Sequence, residues 1–340
     1  MPKRIEISHK TIIFTVFFLL FLWFIVQVAE IISWIFISFI IMSAFKPSVD
    51  RLVSLRLPRI LAILIMYIAV ILLFGFAAST IIPPLVSQTL HLAERLPDYI
   101  NLILPAYNID IQNFFQQIST LGQNLLRLSV GIFNNIISFF TILVITFYLL
   151  LERKNLDSYL ALLLGEKSGK NVISVVNAIE ARLGAWVRGQ LTLLLSIGLL
   201  TYVGLILLQI PFALPLAILA GLLEIIPSIG PIISALPAIL VSFTVSSLHP
   251  LFTVILYFII QQVENQLIVP FVMKTVVGLP PLVTILSIMV GIRIGGIGGA
   301  ILAVPIVVTV ETIFTNFYRL QETIKKPAEA RKPDSVSSPR

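Results

Sequence analysis

Long apolar segments alternate with short polar ones along this chain. Uncharged, mainly apolar stretches cover residues 11–29, 31–45, 60–82 and 132–151. Each is long enough, or nearly so for the second, to cross the roughly 30 Å hydrocarbon core of a bilayer as a helix. Because residues 11–45 would be about 52 Å long as one helix, we expect a tight turn near Glu30. The pattern predicts four transmembrane helices in the first 151 residues.

The segment from residue 189 to residue 310 is apolar but rich in helix-breaking residues. Its 122 positions hold only four charged residues, together with ten prolines and eleven glycines. Proline removes a backbone donor and clashes with the preceding helical turn, so unwound backbone survives at membrane depth only where protein or water satisfies the freed groups. We therefore predict broken helices around a hydrated cavity, the kind of place where transporters bind their cargo.

Two polar inserts between the apolar segments have the apolar periodicity of amphipathic helices. One stripe runs from Ile111 to Ile132, and the second consists of Val172, Val176, Ile179, Leu183 and Trp186. Such stripes fit the protein's own helices, the membrane surface or a second subunit, and periodicity does not choose among them. The predicted order is three N-terminal spans (1–82), an external amphipathic segment (83–131), a fourth span (132–151), a cytoplasmic amphipathic segment (152–188), a transport core (189–318) and a largely disordered tail (319–340).

Composition and charge place the chain in a membrane and orient it. The chain is 58% hydrophobic and 11% charged, against about 25% charged residues in soluble domains. Lys and Arg cluster before the first span, after the second, within 152–188 and in the tail. Since short basic loops stay on the cytoplasmic side, we expect both termini in the cytoplasm. The net charge of +7 forms no single basic stripe with a base-stacking motif, so no nucleic-acid partner is predicted.

The stretch from Leu222 to Leu240 contains the densest group of helix breakers. Pro227, Ser228, Gly230 and Pro231 are predicted to separate two half-helices. Unpaired backbone groups at the two ends would suit a polar or ionic ligand, and the alternative is a packed kink without one. Glu224 precedes this break. A carboxylate in a bilayer costs about 3 kcal/mol, so Glu224 either faces a cavity, where it could accept a proton, or contacts water at an interface.

A second polar block interrupts the apolar core at residues 261–266. Its members are Gln261, Gln262, Glu264, Asn265 and Gln266. Helical spacing places Gln261, Glu264 and Asn265 on one face. That face is either a hydrophilic patch on a translocation path or a set of hydrogen bonds between helices.

Further prolines and glycines are predicted to act in hinges and in helix packing. These positions are Pro270, Pro280, Pro281, Gly291, Gly295 and Gly299. The three glycines are spaced by four, which lets helix backbones approach closely. Arg293 lies between them and is assigned to the pathway, with Glu224, Glu264, exposed carbonyls or an interface as its alternative partners.

Enzymatic and cofactor motifs are absent from the sequence. There is no P-loop, no H-E-x-x-H and no G-x-S-x-G, the three histidines are far apart, and there is no cysteine. We therefore predict no enzyme, no cofactor and no metal site. Without a nucleotide site, uphill transport would depend on an ion gradient.

Several motifs in the C-terminal half are shared with a known family. They are Arg188-Gly189-Gln190, Ile226 to Pro231, Gln262 to Pro270, Val277 to Pro281 and Gly295 to Pro305. In these residues the chain resembles the autoinducer-2 exporter family of bacterial membrane proteins, over roughly residues 10–320. The resemblance implies an all-helical transporter of about eight spans in the bacterial cytoplasmic membrane, assembled as a homo-oligomer, with pentamers and an elevator-like movement described in the family. Its members are linked to autoinducer-2 export, to sodium or lithium exchange for protons, and to sporulation membranes.

Three functional hypotheses follow. The leading one is an ion-gradient-driven secondary transporter that exports a small polar solute such as autoinducer-2 through Glu224, the 227–231 break and the 261–265 face. The second is a sodium/proton antiporter in which Glu224 or Glu264 carries the proton. The third is a membrane scaffold that does not transport and assembles through the amphipathic inserts.

Overall fold

The computed structural model describes residues 9–103, 136–226, 230–273 and 279–329, and within these ranges its helices are joined by short turns without any strand. The helices are α1 (His9–Ser54), α2 (Arg59–Ile103), α3 (Ile136–Glu152), α4 (Leu156–Leu164), α5 (Glu166–Leu207), α6 (Ala213–Leu223), α7 (Gly230–Ser242), α8 (His249–Val263), α9 (Val269–Met273) and α10 (Pro281–Glu329). A 3₁₀ turn (Arg153–Asn155) joins α3 to α4, and a π turn (Glu264–Ile268) joins α8 to α9.

The first helix is longer than the sequence analysis predicted. Helix α1 is continuous over 46 residues, so the expected turn near Glu30 was wrong. No proline or glycine lies between Thr11 and Phe45, and nothing interrupts the backbone hydrogen bonds there. At 1.5 Å per residue α1 is about 69 Å long, so even at the upper end of usual tilts, about 40°, it reaches beyond the hydrocarbon core.

Several described helices are long and apolar enough to cross a membrane. They contain the stretches Gln27–Ser54, Ser168–Leu207, His249–Val272 and Leu282–Asn316, and shorter apolar helices cover Arg59–Leu73, Ala213–Leu223 and Gly230–Ser242. The predicted class, an all-α polytopic membrane protein, is confirmed. The domain boundaries remain predictions. Those placed at 82/83, 188/189 and 318/319 fall inside α2, α5 and α10, so the predicted disordered tail is helical as far as Glu329.

Helix α5 takes part in two of the three buried apolar clusters. Its middle packs with α1 and α10 through Leu183 and Trp186, and its C-terminal part packs with α6, α7 and α8 through Leu205. The third cluster joins α1, α2 and α3 around Met42 and Leu150. The predicted stripe therefore buries Ile179, Leu183 and Trp186 within the chain itself, whereas the stripe from Ile111 to Ile132 lies outside the described residues.

Helices α6 and α7 are two short arms that follow one another around the predicted break. They contain 11 and 13 residues, about 17 and 20 Å of helix, so neither arm crosses a bilayer core alone. The arms meet closely, because a Cβ on Gly230 would lie 2.2 Å from the carbonyl oxygen of Leu223. Helix α7 begins at Gly230, as the broken-helix prediction requires.

Helix α10 contains a second reversal of the chain. Gly295 (φ −130°, ψ 18°) and Gly296 (φ 59°, ψ −140°) leave helical geometry, and the positive φ of Gly296 is one that side chains disfavour. Gly291 and Gly299 then come together across the bend, since a Cβ on Gly299 would lie 2.1 Å from the carbonyl oxygen of Gly291. Residues 281–294 and the chain after Gly296 therefore form a tight helical hairpin.

Candidate functional site

Two glutamates from distant parts of the apolar core lie side by side. Glu224 is the C-terminal cap of α6, at the tip of the first hairpin, and Glu264 opens the π turn after α8. Their exposed fractions are 1% and 4%, and their carboxyl groups lie within hydrogen-bonding reach of each other. The fold thus builds a buried carboxyl pair.

Buried against each other, the two carboxyl groups cannot both be ionised without a counter-charge. Ionised carboxylates only accept hydrogen bonds, so two of them cannot bond to each other, and like charges repel strongly when they are buried. Glu224 Oε2 is buried without a conventional donor among the described residues. A proton shared with Glu264, or a small cation between the oxygens, would remove both the repulsion and this unsatisfied acceptor. The pair is chemically suited to exchanging the two.

Two glutamine side chains hold the pair in place. Gln190 Nε2 of α5 donates to the backbone carbonyl oxygen of Glu224 over 3.0 Å, and Gln261 Nε2 donates to Glu264 Oε2 over 3.2 Å. The carbonyls of the last helical turn lack partners within their helix, so Gln190 satisfies a group that the end of α6 leaves free. Gln190 is only 5% exposed. The tip of the first hairpin is therefore tied to the long helix α5.

The π turn separates the polar residues that helical spacing had grouped together. Gln261 and Glu264 do hydrogen bond to each other, but Asn265 and Gln262 are exposed. A π turn changes the angular spacing of side chains and frequently occurs at functional sites. A pathway role for these four residues stays a prediction.

The other predicted pathway residues are Pro227, Ser228, Gly230, Pro231 and Arg293. Pro227 and Ser228 are outside the described residues, and Gly230 and Pro231 form the first turn of α7. Arg293 is exposed, two residues before the Gly295 bend, and it has no ion-pair partner in the described ranges. Their part in a pathway also stays a prediction.

The predicted hinge and packing positions divide between the last two helices. Pro270 lies in the short α9, Pro280 precedes α10, and Pro281 is the first residue of α10. Gly291, Gly295 and Gly299 lie in the α10 hairpin. Gly291 and Gly299 pack closely against each other, whereas a Cβ on Gly295, at the bend, would meet nothing within 4 Å. A movement at the bend stays a prediction.

Sequence analysis named Gln190 only as part of a family motif, without a role at the site, and did not identify the cluster of charges around Glu180. Gln190 could have been noticed as an uncharged polar residue within the apolar run of α5. Glu180 is 3% exposed, and its carboxylate bonds to Lys46 Nζ at 2.6 Å and to Arg153 Nε. These charges come from three separate parts of the sequence, so no local pattern could reveal their contact.

Short hairpins around a buried titratable pair are features of a membrane transport protein, because ionisable groups inside a membrane are costly and usually serve ion or substrate pathways. The family profile described as AI-2E family transporter matches residues 12–319. The chain therefore belongs to the AI-2E family of transporters.

Several relatives resemble the chain over most of its length. YueF of Bacillus subtilis (strain 168), named as a candidate transport protein, is 29% identical over 321 residues, which cover 87% of each chain. YrrI of the same organism, named in the same way, is 27% identical over 84% of this chain and 85% of its own. The AI-2 transport protein TqsA of Escherichia coli (strain K12) is 24% identical over 83% of this chain and 85% of its own.

Proposed function

We propose that this protein is a secondary transporter that exports a small polar solute across the bacterial cytoplasmic membrane, with the carboxyl pair coupling export to an ion gradient. The observation that carries the proposal is the burial of Glu224 against Glu264 at the tip of a helical hairpin. A site that needs one positive charge can alternate between a proton and another cation. Autoinducer-2 is the first solute to test, because the relative TqsA is named as an AI-2 transport protein.

The ties to the pair suggest how coupling would work. Gln190 holds the hairpin tip through a backbone carbonyl, and Gln261 holds Glu264. A change of charge on the pair would alter the attraction between the tip and the π turn. Movement of the first hairpin relative to α5 would then expose the pair to one side of the membrane or the other, with the α10 hairpin as a second moving part.

The second candidate function is a sodium/proton antiporter without an organic solute. The observation that favours it is the set of oxygen atoms at the site, two carboxyl groups and the Glu224 backbone carbonyl. Oxygen ligands suit hard cations such as Na⁺, and carbonyls at broken helices bind Na⁺ in transporters. In this case the carboxyl pair would bind both exchanged ions in turn.

Assembly and orientation are part of the same proposal. We place both termini in the cytoplasm and expect a homo-oligomer, a pentamer by family resemblance. The apolar side chains of Phe14, Phe17 and Trp23 on α1 are more than 60% exposed and would contact lipid or neighbouring subunits. Native mass spectrometry of the detergent-solubilised protein would count the subunits, and a single monomer peak would contradict the assembly.

Transport by purified protein in proteoliposomes tests the two candidates. Counterflow of labelled autoinducer-2 is measured under clamped ion gradients, and a pH-sensitive dye inside the vesicles reports proton movement. Gradient-dependent solute flux supports the exporter, whereas sodium-dependent proton flux without any solute supports the antiporter. We expect Glu224→Gln and Glu264→Gln each to reduce the coupled flux at least about tenfold, since a transition from carboxyl to amide removes the exchangeable proton.

A matched variant separates this effect from a general loss of negative charge. Glu166 is an exposed carboxylate in the first turn of α5, far along the helix from Gln190. Glu166→Gln should keep wild-type flux. If both variants of the carboxyl pair also kept wild-type coupled flux, coupling through this pair would be wrong.

A further inference from the structure

A second polar site lies where α1 crosses α5, away from the carboxyl pair. It is a cavity of about 330 Å³ whose polar lining consists of Ser43, Lys46 and Asp50 from α1 and Asn177, Glu180 and Arg188 from α5. This volume is at the lower end of the range of small-molecule pockets, about 300–1,000 Å³. We call it the crossing pocket.

The two acidic residues of the crossing pocket are already neutralised. Both carboxylate oxygens of Glu180 are engaged, Oε2 by Lys46 Nζ at 2.6 Å and Oε1 by Arg153 Nε. Asp50 Oδ1 pairs with Arg59 Nη1 at 3.3 Å. The acidic groups therefore present little free acceptor capacity to a ligand.

The basic and amide side chains of the crossing pocket, in contrast, retain unused hydrogen-bond donors. Among the described residues, the Arg188 guanidinium makes one long hydrogen bond, 3.4 Å, to the backbone carbonyl oxygen of Ala44, and no carboxylate there pairs with it. Lys46 uses one of its three donors on Glu180. Asn177 accepts from Arg153 through Oδ1, which leaves its amide hydrogens available. These are the donors that an oxyanion requires.

The net charge around the crossing pocket is positive, which also favours an anionic ligand. Arg51 lies close enough to Arg188 to repel it. Together the basic side chains Lys46, Arg51, Arg59, Arg153 and Arg188 outnumber the acidic side chains Asp50, Asp157 and Glu180 by five to three. An anion at Arg188 would reduce the repulsion and the charge excess.

A single glycine creates the pocket's shape. A Cβ on Gly184 would lie 2.2 Å from the backbone carbonyl oxygen of Ser43, so only glycine allows α5 to touch the backbone of α1 at this point. Glu180 and Arg188 lie one helical turn before and after Gly184, on the same face of α5. The close crossing therefore brings Glu180 against Lys46 of α1 and Arg188 against the α1 backbone at Ala44.

We propose that the crossing pocket binds a phosphate group through Arg188, Lys46 and Asn177. The group would belong either to a soluble phosphate or to the head of an anionic lipid, since both offer the same oxygens to the same donors. Arginine suits this role because its planar donors match phosphate oxygens in pairs. The site is separate from the carboxyl pair and goes beyond the proposed transport function.

Thermal unfolding of the full-length protein in neutral detergent tests the proposal, with tryptophan fluorescence as the readout. One arm adds inorganic phosphate against sodium chloride of matched ionic strength, which controls for screening. The other adds short-chain phosphatidylglycerol against the matching phosphatidylcholine. A ligand that binds the folded state raises the unfolding midpoint in a saturable way. We expect Arg188→Gln to weaken the effective ligand about tenfold.

Lys170→Gln is the matched control. Lys170 is exposed on the same helix, about 27 Å along the axis from Arg188, and its loss should leave the titrations unchanged. Arg188 is itself exposed and makes only the one long bond, so Arg188→Gln should fold normally. Glu264→Gln, which alters the carboxyl pair, should also bind as wild type does, so that a failure of the transport proposal would not affect this test.

The outcomes assign the source of the phosphate. A phosphate-specific shift that depends on Arg188 indicates a soluble ligand, and a shift given only by phosphatidylglycerol indicates a lipid head group. The proposal is overturned if neither compound shifts the wild type beyond its control. It is equally overturned if Arg188→Gln weakens the effective ligand less than threefold, or if Lys170→Gln weakens it as much as Arg188→Gln does.

Discussion

Replacing Glu180 by Gln should destabilise the protein strongly, because Glu180 holds two positive side chains at a buried junction. Arg153 is 8% exposed, so without the carboxylate its charge has only Asn177 and the exposed Asp157 as partners. Removing one member of a buried ion pair costs about 3–5 kcal/mol. Lys46 is 27% exposed and can turn toward water, so the loss of its ion pair with Glu180 adds at most about 1 kcal/mol. We expect a total of about 3–6 kcal/mol.

Unfolding by sodium dodecyl sulfate in mixed micelles, followed by tryptophan fluorescence, measures this cost. The double variant Glu180→Gln/Arg153→Gln should be more stable than the sum of the single effects implies, with a coupling of about 1–3 kcal/mol, because it removes both buried charges together. Glu166→Gln, at an exposed site, should change stability by less than about 0.5 kcal/mol. A cost below about 1 kcal/mol for Glu180→Gln, or a strictly additive double variant, would refute the reasoning.

Two further substitutions test the hairpins. Gly299→Ala places a Cβ 2.1 Å from the Gly291 carbonyl oxygen, so the arms must separate and we expect a loss of about 1–3 kcal/mol in the same unfolding assay. Gly298→Ala, whose Cβ would meet nothing within 4 Å, should be neutral, and equal effects of the two would contradict the close approach. Gln190→Leu removes the donor to the Glu224 carbonyl and should slow coupled flux in proteoliposomes, while Thr192→Val, at an exposed position on the same helix, should not. Wild-type flux in Gln190→Leu would show that this tie is dispensable.

The broken helices were predictable because their causes are local. Gly230 begins α7 and Gly296 lies at the bend in α10. A glycine beside a proline, as at Gly230, or within a run of glycines, as at Gly296, favours such a break in an apolar segment. The absence of such residues would likewise have predicted that α1 is continuous. Without a proline or glycine between Thr11 and Phe45, bilayer thickness alone was not a sufficient reason for a turn near Glu30.

The contacts at the candidate site could not be predicted, because they are long-range. The sequence marked Glu224 and Glu264 separately as costly charges in an apolar core, but nothing local indicated that their carboxyl groups meet. The π turn also changes the angular spacing of the side chains. The regular helical spacing that had placed Asn265 on one face with Glu264 therefore does not apply. Around Glu180 the basic residues were interpreted as markers of membrane orientation, since a count of loop charges does not reveal which of them pair across helices.

Helix α5 carries Arg188 and Gln190 two residues apart, on nearly opposite faces of the helix and only about 3 Å apart along its axis. One faces the crossing pocket and the other holds the tip that bears Glu224. A shift of α5 along its axis would therefore displace Arg188 and Gln190 together and by the same distance. The crossing of α1 with α5 and the hold on the tip of the first hairpin therefore depend on the position of one and the same helix turn.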